Sequence, residues 1–256
     1  MAGAAHDPGR YGASFAEVYD RWYPGGDEAA VCRFLADRLR PGARILELGA
    51  GTGRLALRLA AAGFEVVGLD ASADMLEVLS AKDTGGTVTK VHADAGDPDS
   101  WSDAGLAGPF DAVLAACNLL LNLTAPGAQE RCVEGAARVL GPDGLVVTEL
   151  SDLEPPAGGG RRVELSSVES DGVVLIATET DPHTAVVEGR HVELRDGRAV
   201  RVRPWSLRVA TTADLDRWCA AAGLALSERL DRWDAGAPGP GPPVAISVHR
   251  RRQGDD

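Results

Sequence analysis

Residues 45–53 read Ile45-Leu46-Glu47-Leu48-Gly49-Ala50-Gly51-Thr52-Gly53, and they are the strongest indication of the fold. Its first half ends a short apolar strand that begins at Arg44, and its second half is a glycine-rich turn before a helix over residues 55–62. Glycine accepts positive φ angles and lets a ligand approach the main chain where a side chain would collide. The stretch therefore predicts the ligand-binding edge of an α/β sheet; the alternative is a tight turn that binds nothing.

The spacing of these glycines argues against a dinucleotide ligand. A dinucleotide-binding loop has the pattern GxGxxG, in which the third glycine stands at the sixth position. Here Arg54 stands at that position, and the third glycine, Gly53, comes one residue earlier. Glu47 also places an acidic group two residues before the first glycine, where the phosphates of a dinucleotide would approach. An NAD-dependent oxidoreductase is therefore a weaker hypothesis.

Two more carboxylates follow the next two predicted strands. Asp70 ends the second strand, about twenty residues after the first glycine, where a carboxylate can accept hydrogen bonds from both hydroxyls of a ribose. Ser72 is better placed than Asp70 to cap the helix that follows. Asp94 follows the third strand and can accept from an adenine amino group, with Met75 and Ala95 against the ring, or it is a solvated loop acid. Together the acids predict a nucleoside that carries positive charge rather than phosphates.

The pattern of apolar residues predicts an α/β fold. Strands that alternate with helices indicate a parallel sheet, and they are predicted over residues 44–48, 66–69, 87–92, 110–116 and 145–149, the last after a turn at 141–144. After Ser151 the period changes to two, which predicts antiparallel strands over residues 162–168, 173–180, 185–194 and 199–209. Segments 225–233 and 244–249 complete the main sheet. The predicted fold class is a Rossmann-like, doubly wound, mostly parallel seven-stranded sheet with an inserted antiparallel sheet after strand five.

This order of elements predicts three regions. Residues 1–42 form an N-terminal helical lid, residues 43–150 and 210–250 form the Rossmann-like domain, and residues 151–209 form an inserted sheet that covers the substrate or makes a dimer interface. Unpaired strand edges invite a partner strand, so a homodimer is expected. Five of the arginines in the insertion, at positions 190, 195, 198, 201 and 203, crowd its third and fourth strands. Neighbouring acids favour solvated strand faces for them, and an anion-binding substrate wall is the alternative.

The composition weighs against several classes of protein. The 256-residue chain has a formal net charge of -12, which repels nucleic acid. It lacks the apolar stretch of about 18 residues that spans a membrane, and residues 1–10 lack the features of a signal peptide, so a cytoplasmic protein is expected. The four cysteines are scattered and form no CxxC pair, so neither a metal site nor a disulfide is predicted.

Over residues 43–149 these motifs resemble those of class I S-adenosylmethionine-dependent methyltransferases. The resemblance implies S-adenosylmethionine as the cofactor and S-adenosylhomocysteine as its product. It implies that Glu47 and the main chain of residues 49–53 frame the methionine part, that Asp70 holds the ribose, and that Asp94 with Ala95 bounds the adenine. The cofactor-binding residues predicted in this way are Glu47, Gly49, Ala50, Gly51, Gly53, Asp70, Ala71, Met75, Asp94, Ala95, Cys117 and Asn118.

The methyl acceptor, a small molecule, is expected beyond the fourth strand, because ligands of open α/β sheets bind at the carboxyl ends of the strands. Asn118 and Asn122 follow that strand and either border the acceptor or are turn and cap residues. The lead-in segment 15–23 can fold over the cofactor, with Tyr19 and Tyr23 either at the site or in ordinary packing. Its Tyr-Asp-x-x-Tyr pattern and the antiparallel insertion make the chain similar to the nucleotide-sugar N-methyltransferases. In that group a His or Tyr often stands where this chain has Asn122.

The predicted catalytic residues are Tyr19, Tyr23 and Asn122. A neutral amine needs no base, because the sulfonium is already activated and placement of the reactants contributes about 7–11 kcal/mol. A hydroxyl normally requires a positioned base, and asparagine cannot act as one near neutral pH. The leading hypothesis is therefore N-methylation of an amino sugar or another secondary metabolite by proximity. O-methylation of a small molecule is the alternative, and a cofactor-binding protein with lost or altered activity is a third.

Overall fold

The computed structural model describes residues 7–152, 159–181, 183–234 and 244–252. The chain divides into two compact units, the first made of Met1–Asp152 with Ala210–Asp256 and the second of Leu153–Val209. Residues 1–6 of the predicted lid, and residues 153–158 and 182 of the predicted insertion, lie outside the described residues.

Eleven strands in the described residues form two sheets. They are β1 (Arg44–Leu48), β2 (Glu65–Asp70), β3 (Val88–His92), β4 (Phe110–Ala115), β5 (Leu140–Ser151), β6 (Gly160–Glu169), β7 (Gly172–Asp181), β8 (Val186–Arg195), β9 (Arg201–Arg208), β10 (Leu224–Leu230) and β11 (Val244–Arg251). The seven-stranded sheet has the order β10-β11-β5-β4-β1-β2-β3, with β11 antiparallel to both of its neighbours. The four-stranded sheet is antiparallel, in the order β6-β7-β8-β9. The predicted fold class is confirmed.

The strand order places the ligand-binding edge. Strands β1 and β4 are buried almost throughout. Helices cover both faces of a parallel sheet, so its central strands have apolar side chains on both faces, which explains these apolar sequences. Strand β1 pairs with β2 on one side and with β4 on the other. The chain therefore winds in opposite directions from β1, and the loops after β1, β2 and β4 meet at one edge of the sheet.

The helices of the described residues are α1 (Arg10–Phe15), α2 (Tyr19–Trp22), α3 (Glu28–Ala36), α4 (Ala56–Ala61), α5 (Ala73–Lys82), α6 (Pro98–Asp103), α7 (Leu119–Asn122), α8 (Ala128–Val139) and α9 (Thr212–Ala221). The hydroxyl of Ser72 accepts the N–H of Met75 and caps α5, as the sequence predicts. No helix in this part of the chain is both long enough and apolar enough to cross a membrane.

The predicted turn at residues 141–144 is wrong, because these residues belong to β5. Leu140 already pairs with Phe110, and the next pair is Ala112 with Leu145. The four intervening residues thus form an irregularity inside the strand rather than a turn before it. The sequence signal of Gly, Pro, Asp and Gly marks this interruption of the ladder.

Two of the five arginines named above are buried rather than solvated. The side chain of Arg195 is only 8% exposed, with its nitrogens 2.9 Å from Glu169, 2.6 Å from Asp171 and 2.7 Å from Glu193. Arg203 is also buried and lies 3.7 Å from Glu193. Glu193, one of the neighbouring acids predicted on a solvated strand face, is instead buried beside both arginines, whereas Glu169 and Asp171 stay partly exposed. Arg190, Arg198 and Arg201 are exposed as predicted.

Candidate functional site

The glycine-rich loop after β1 has three positions at which the main chain is not covered by a side chain of its own. Gly49, Gly51 and Gly53 have φ angles of 70°, 55° and 80°, in the left-handed region. A Cβ atom on Gly53 would lie 2.0 Å from Cδ1 of Leu79 in α5, and one on Gly49 would lie 2.5 Å from Cδ1 of Leu119. Both conformation and space thus exclude a side chain at these positions, and the loop can present bare main chain to a ligand.

Asp70, at the end of β2, holds this loop. Its Oδ2 accepts the N–H of Gly51 at 2.8 Å, and its Oδ1 accepts the N–H of Ser72 at 2.8 Å. Burial raises the pKa of Asp70, and these two hydrogen bonds oppose that rise. The carbonyl of Ala71, the residue between Asp70 and Ser72, lies 3.0 Å from Nε2 of His92. Each carboxylate oxygen can accept a further hydrogen bond, so the ribose role of Asp70 stays a prediction that the geometry permits.

Glu47 is a buried carboxyl group with one unpaired oxygen. The residue is 5% exposed, and among the described residues its Oε2 has no hydrogen-bond partner. Burial raises the pKa of Glu47 to about 8, while Arg54 lowers it, the charge of Asp70 raises it and the N–H of Ala56 lowers it. An unpaired buried acceptor costs about 1–3 kcal/mol. This oxygen can receive a donor or cationic group, so Glu47 is compatible with the methionine part of S-adenosylmethionine, and that contact stays a prediction.

The residues predicted at the adenine follow β3 and lie in α5. One side-chain oxygen of Asp94 accepts the N–H of Gly96 at 2.8 Å, and its main-chain oxygen accepts the indole N–H of Trp101 at 2.7 Å. Met75 and Ala95 are buried. Asp94 thus has one side-chain oxygen engaged in its own turn, and contact of these residues with an adenine stays a prediction.

The turn after β4 has a strained backbone that side-chain hydrogen bonds stabilise. Cys117 and Asn118 have φ angles of 53° and 57°, a left-handed conformation that costs energy in residues other than glycine. The amide of Asn118 donates to the hydroxyl of Ser151 at 3.0 Å and accepts its N–H at 2.6 Å. Asn122 donates to the carbonyl of Asn118 at 3.3 Å. Both asparagines stabilise the turn, and their contact with cofactor or acceptor stays a prediction.

The predicted lid contains an aromatic cluster that includes an unpredicted residue, Tyr11. Its ring centroid lies 6.4 Å from that of Tyr19, which lies 5.1 Å from that of Tyr23, and the side chains of Tyr11 and Tyr23 are hydrogen-bonded. Burial raises the pKa of Tyr19 to about 12, and Arg54 and Asp70 act on it electrostatically. Tyr19 therefore lies near the loop edge. A four-residue aromatic spacing, 11, 15, 19 and 23, is the signal that could have found Tyr11.

Three further charged residues complete this edge. Arg54 forms an ion pair with Glu28 of α3 and donates to Sγ of Cys117 at 3.2 Å. Glu149 of β5 accepts the N–H of Cys117 at 2.7 Å, and burial raises its pKa. Glu149 could have been found from the sequence because, like Glu47, it stands near the carboxyl end of a strand of the main sheet. The pairing of Arg54 with Glu28 could not be predicted, because no local sequence pattern relates residues that far apart in the chain.

Comparison with known proteins agrees with this geometry. A family model described as a methyltransferase domain matches residues 45–144. The demethylmenaquinone methyltransferase of Clavibacter sepedonicus is 37% identical over 236 residues, which is 86% of this chain and 84% of that protein. Two shorter matches, to proteins named as methyltransferases from Bacillus subtilis and Geobacillus, span 53% and 30% of the length of those proteins.

Solved structures share the fold over nearly the whole chain. The CcbJ methyltransferase from Streptomyces caelestis has a TM-score of 0.84 and 30% identity, covering 97% of this chain and 100% of that one. CalS10, an amino pentose methyltransferase from Micromonospora echinaspora solved with S-adenosylmethionine, has a TM-score of 0.66 and 23% identity, covering 91% and 95%, and supports the fold alone. Together with the glycine loop and the acids at its edge, these similarities show that the chain belongs to the S-adenosylmethionine-dependent methyltransferases.

Proposed function

We propose that this chain methylates the amine of a small molecule, with an amino sugar or a related secondary metabolite as the acceptor. The observation that carries the proposal is the excess of carboxyl groups at the sheet edge, where Glu28, Glu47 and Glu149 interact electrostatically with Arg54, and Asp70 with Glu47. Such a site favours cationic ligands over anionic ones. Both a sulfonium and the ammonium form of an amine meet that condition.

Four groups of the chain would hold the cofactor. When bound, S-adenosylmethionine supplies a methyl group that its sulfonium already activates. We assign the bare main chain of residues 49–53 and the unpaired oxygen of Glu47 to the methionine part, and Asp70 to the ribose. Arg54 provides a cation beside Tyr19 that suits the carboxylate of the methionine part.

The acceptor would lie next to the turn after β4. We assign Tyr19 and Tyr23 to closing the site against water, and Asn122 to the border of the acceptor. An amine must lose its proton before it attacks, and Glu149, whose pKa is raised by burial, is suited to accept that proton. Close placement of the amine then supplies most of the acceleration, about 7–11 kcal/mol.

A hydroxyl acceptor is a weaker proposal because a hydroxyl is far less acidic than an ammonium and requires a stronger base than the carboxylate of Glu149. The other described candidates for such a base are engaged or unsuitable. Asn122 cannot take a proton near neutral pH, and the raised pKa of Tyr19 keeps that phenol protonated. In the first unit, His92 contacts the carbonyl of Ala71, and His249 lies buried 3.1 Å from Asp216.

The test is methyl transfer from labelled S-adenosylmethionine to matched acceptors. The set contains an amino-sugar nucleotide, the same compound with a hydroxyl in place of the amine, and demethylmenaquinone, the acceptor named for the Clavibacter relative. We expect label on the amine alone. Label on the hydroxyl compound alone would replace the proposal by O-methylation, and binding of S-adenosylhomocysteine with no transfer to any acceptor would favour a binding protein.

We also propose a homodimer through one face of the inserted sheet. On the edge strand β6, Val163, Leu165 and Val168 are 68%, 60% and 69% exposed, and their pairing with Ala177, Leu175 and Val173 places them on one face. Exposed apolar groups of this kind mark association surfaces. Light scattering should show a dimer for the wild type and for Glu164→Lys, on the opposite face, and a monomer for Leu165→Lys. A monomeric wild type would contradict the proposal.

A further inference from the structure

One carboxylate joins three elements around the glycine-rich loop. Asp20 of α2 accepts the hydroxyl of Thr52 at 2.6 Å on Oδ1 and the ammonium of Lys82 at 2.8 Å on Oδ2. Thr52 lies between two loop glycines and is 1% exposed, and Lys82 is the last residue of α5. Helix α2, the loop and α5 thus meet at the side chain of Asp20. Helices α1 and α2 are together called the lead-in helices.

The two contacts of Asp20 are physically different. The pair with Lys82 is partly exposed, with 46% of the Asp20 side chain and 34% of the Lys82 side chain open to solvent, and such pairs contribute little. The hydroxyl of Thr52 is buried and would lose its partner if α2 moved away. The bond to Thr52 therefore depends on the conformation of the loop, whereas the bond to Lys82 does not.

A second close contact lies in the same region. A Cβ atom on Gly12 of α1 would lie 2.3 Å from Cβ of Ser72 and 2.8 Å from Cγ of Met75. Helix α1 therefore packs directly on the start of α5, two residues after Asp70. The lead-in helices contact the proposed cofactor site through both the loop and α5.

We propose that Asp20 is a positioning residue that couples closure of the lead-in helices to occupancy of the cofactor site. Its hydrogen bond to Thr52 links α2 to the loop that presents main chain to the cofactor. Because Tyr19 is the preceding residue of α2, the same bond fixes the position of the aromatic cluster relative to that loop. By linkage, a bound cofactor stabilises the closed helices and the closed helices retain the cofactor. This inference rests on the proposed function, because it requires a cofactor at the loop.

The test combines calorimetry with limited proteolysis of the full chain. Arg21 is exposed in α2, so trypsin cleavage after Arg21 reports opening of the helices. In the wild type we expect S-adenosylhomocysteine to slow this cleavage. Asp20→Ala and Thr52→Val should each lower the affinity for S-adenosylhomocysteine about tenfold, which corresponds to the loss of one buried hydrogen bond. Each should also abolish the protection of Arg21 from cleavage. Asp37→Ala, an exposed acid at the end of α3, is the matched control and should behave as the wild type.

Three further variants distinguish loss of the Asp20–Thr52 interaction from a general loss of folding stability. Asp20→Asn keeps an oxygen for Thr52 and should restore most of the affinity, while Lys82→Met should change it less than threefold. The double variant Asp20→Ala with Thr52→Val should be no worse than either single variant, because both remove one interaction. Additive losses, or wild-type protection in Asp20→Ala, would overturn the inference. Failure of the wild type to bind S-adenosylhomocysteine would instead overturn the proposed function.

Discussion

An Asp70→Lys variant is expected to bind S-adenosylhomocysteine at least about 100-fold more weakly than the wild type. The carboxylate already accepts the N–H groups of Gly51 and Ser72 at 2.8 Å each, and its remaining acceptor positions suit the two ribose hydroxyls. A hydrogen bond to a charged group is worth about 1.5–3 kcal/mol, so the loss of two corresponds to about 3–6 kcal/mol. Lysine would add further loss, because it leaves the Gly51 N–H without its acceptor. Titration calorimetry measures the change directly.

The same segment offers a control for the Asp70 variant. Asp74 is exposed in the first turn of α5, and Asp74→Lys introduces the same change of charge four residues later. It should leave the affinity within about twofold of the wild type, because exposed charges are screened. A circular dichroism melt establishes that both variants fold. If Asp70→Lys folds and binds as tightly as the wild type, the assignment of Asp70 to the ribose is wrong.

Affinity for S-adenosylhomocysteine is expected to rise with pH through the ionisation of Glu47. Burial raises the pKa of Glu47 to about 8, so near pH 6 the carboxyl group of the free protein is neutral. The ammonium of the methionine part favours the ionised form, and binding must then release the proton. Between pH 6 and 8 the wild-type Kd should fall by roughly tenfold or more. Calorimetry in two buffers of different ionisation enthalpy should show proton release in this range.

The unliganded protein should respond to pH in the opposite sense. Because the folded-state pKa of Glu47 lies above its usual value, the folded state binds more protons than the unfolded state between about pH 4.5 and 8. The stability contributed by the neutral form is fully present below that range and is lost as pH rises through about 8. Relative to Glu47→Gln, the wild type should therefore lose several kcal/mol, on the order of 3–5, between pH 5 and 9. Urea unfolding across this pH range measures the difference.

Glu47→Gln is the matched variant for both effects, because it keeps the shape of the side chain and removes its titration. Its affinity for S-adenosylhomocysteine should be nearly independent of pH from 6 to 8, and it should show no proton release. Glu65→Gln, in the same sheet but exposed at the start of β2, should retain the wild-type pH dependence. Equal pH profiles for the wild type and Glu47→Gln would contradict a buried, ionising carboxyl group at this site.

Local patterns predicted the fold because each depends on residues that are close in the chain. Buried parallel strands leave apolar runs, and a change to period two marks strands with two unlike faces, so both sheets could be predicted. Ser72 could be predicted as a cap because capping is a local hydrogen bond. The turn at residues 141–144 was predicted wrongly because a break in a strand ladder and a turn share the same residue types.

The glycine loop, the acids near the strand ends and the family of the chain could all be predicted before folding was considered, since backbone conformation and strand position follow from short-range patterns. The polar contacts between distant parts of the chain became visible only in the folded structure. Asp20 reaches Thr52 across 32 residues and Lys82 across 62, Arg54 reaches Glu28 across 26, and Cys117 reaches Glu149 across 32. Such pairs arise where loops from separate strands converge at one edge of the sheet, and no local period records that convergence.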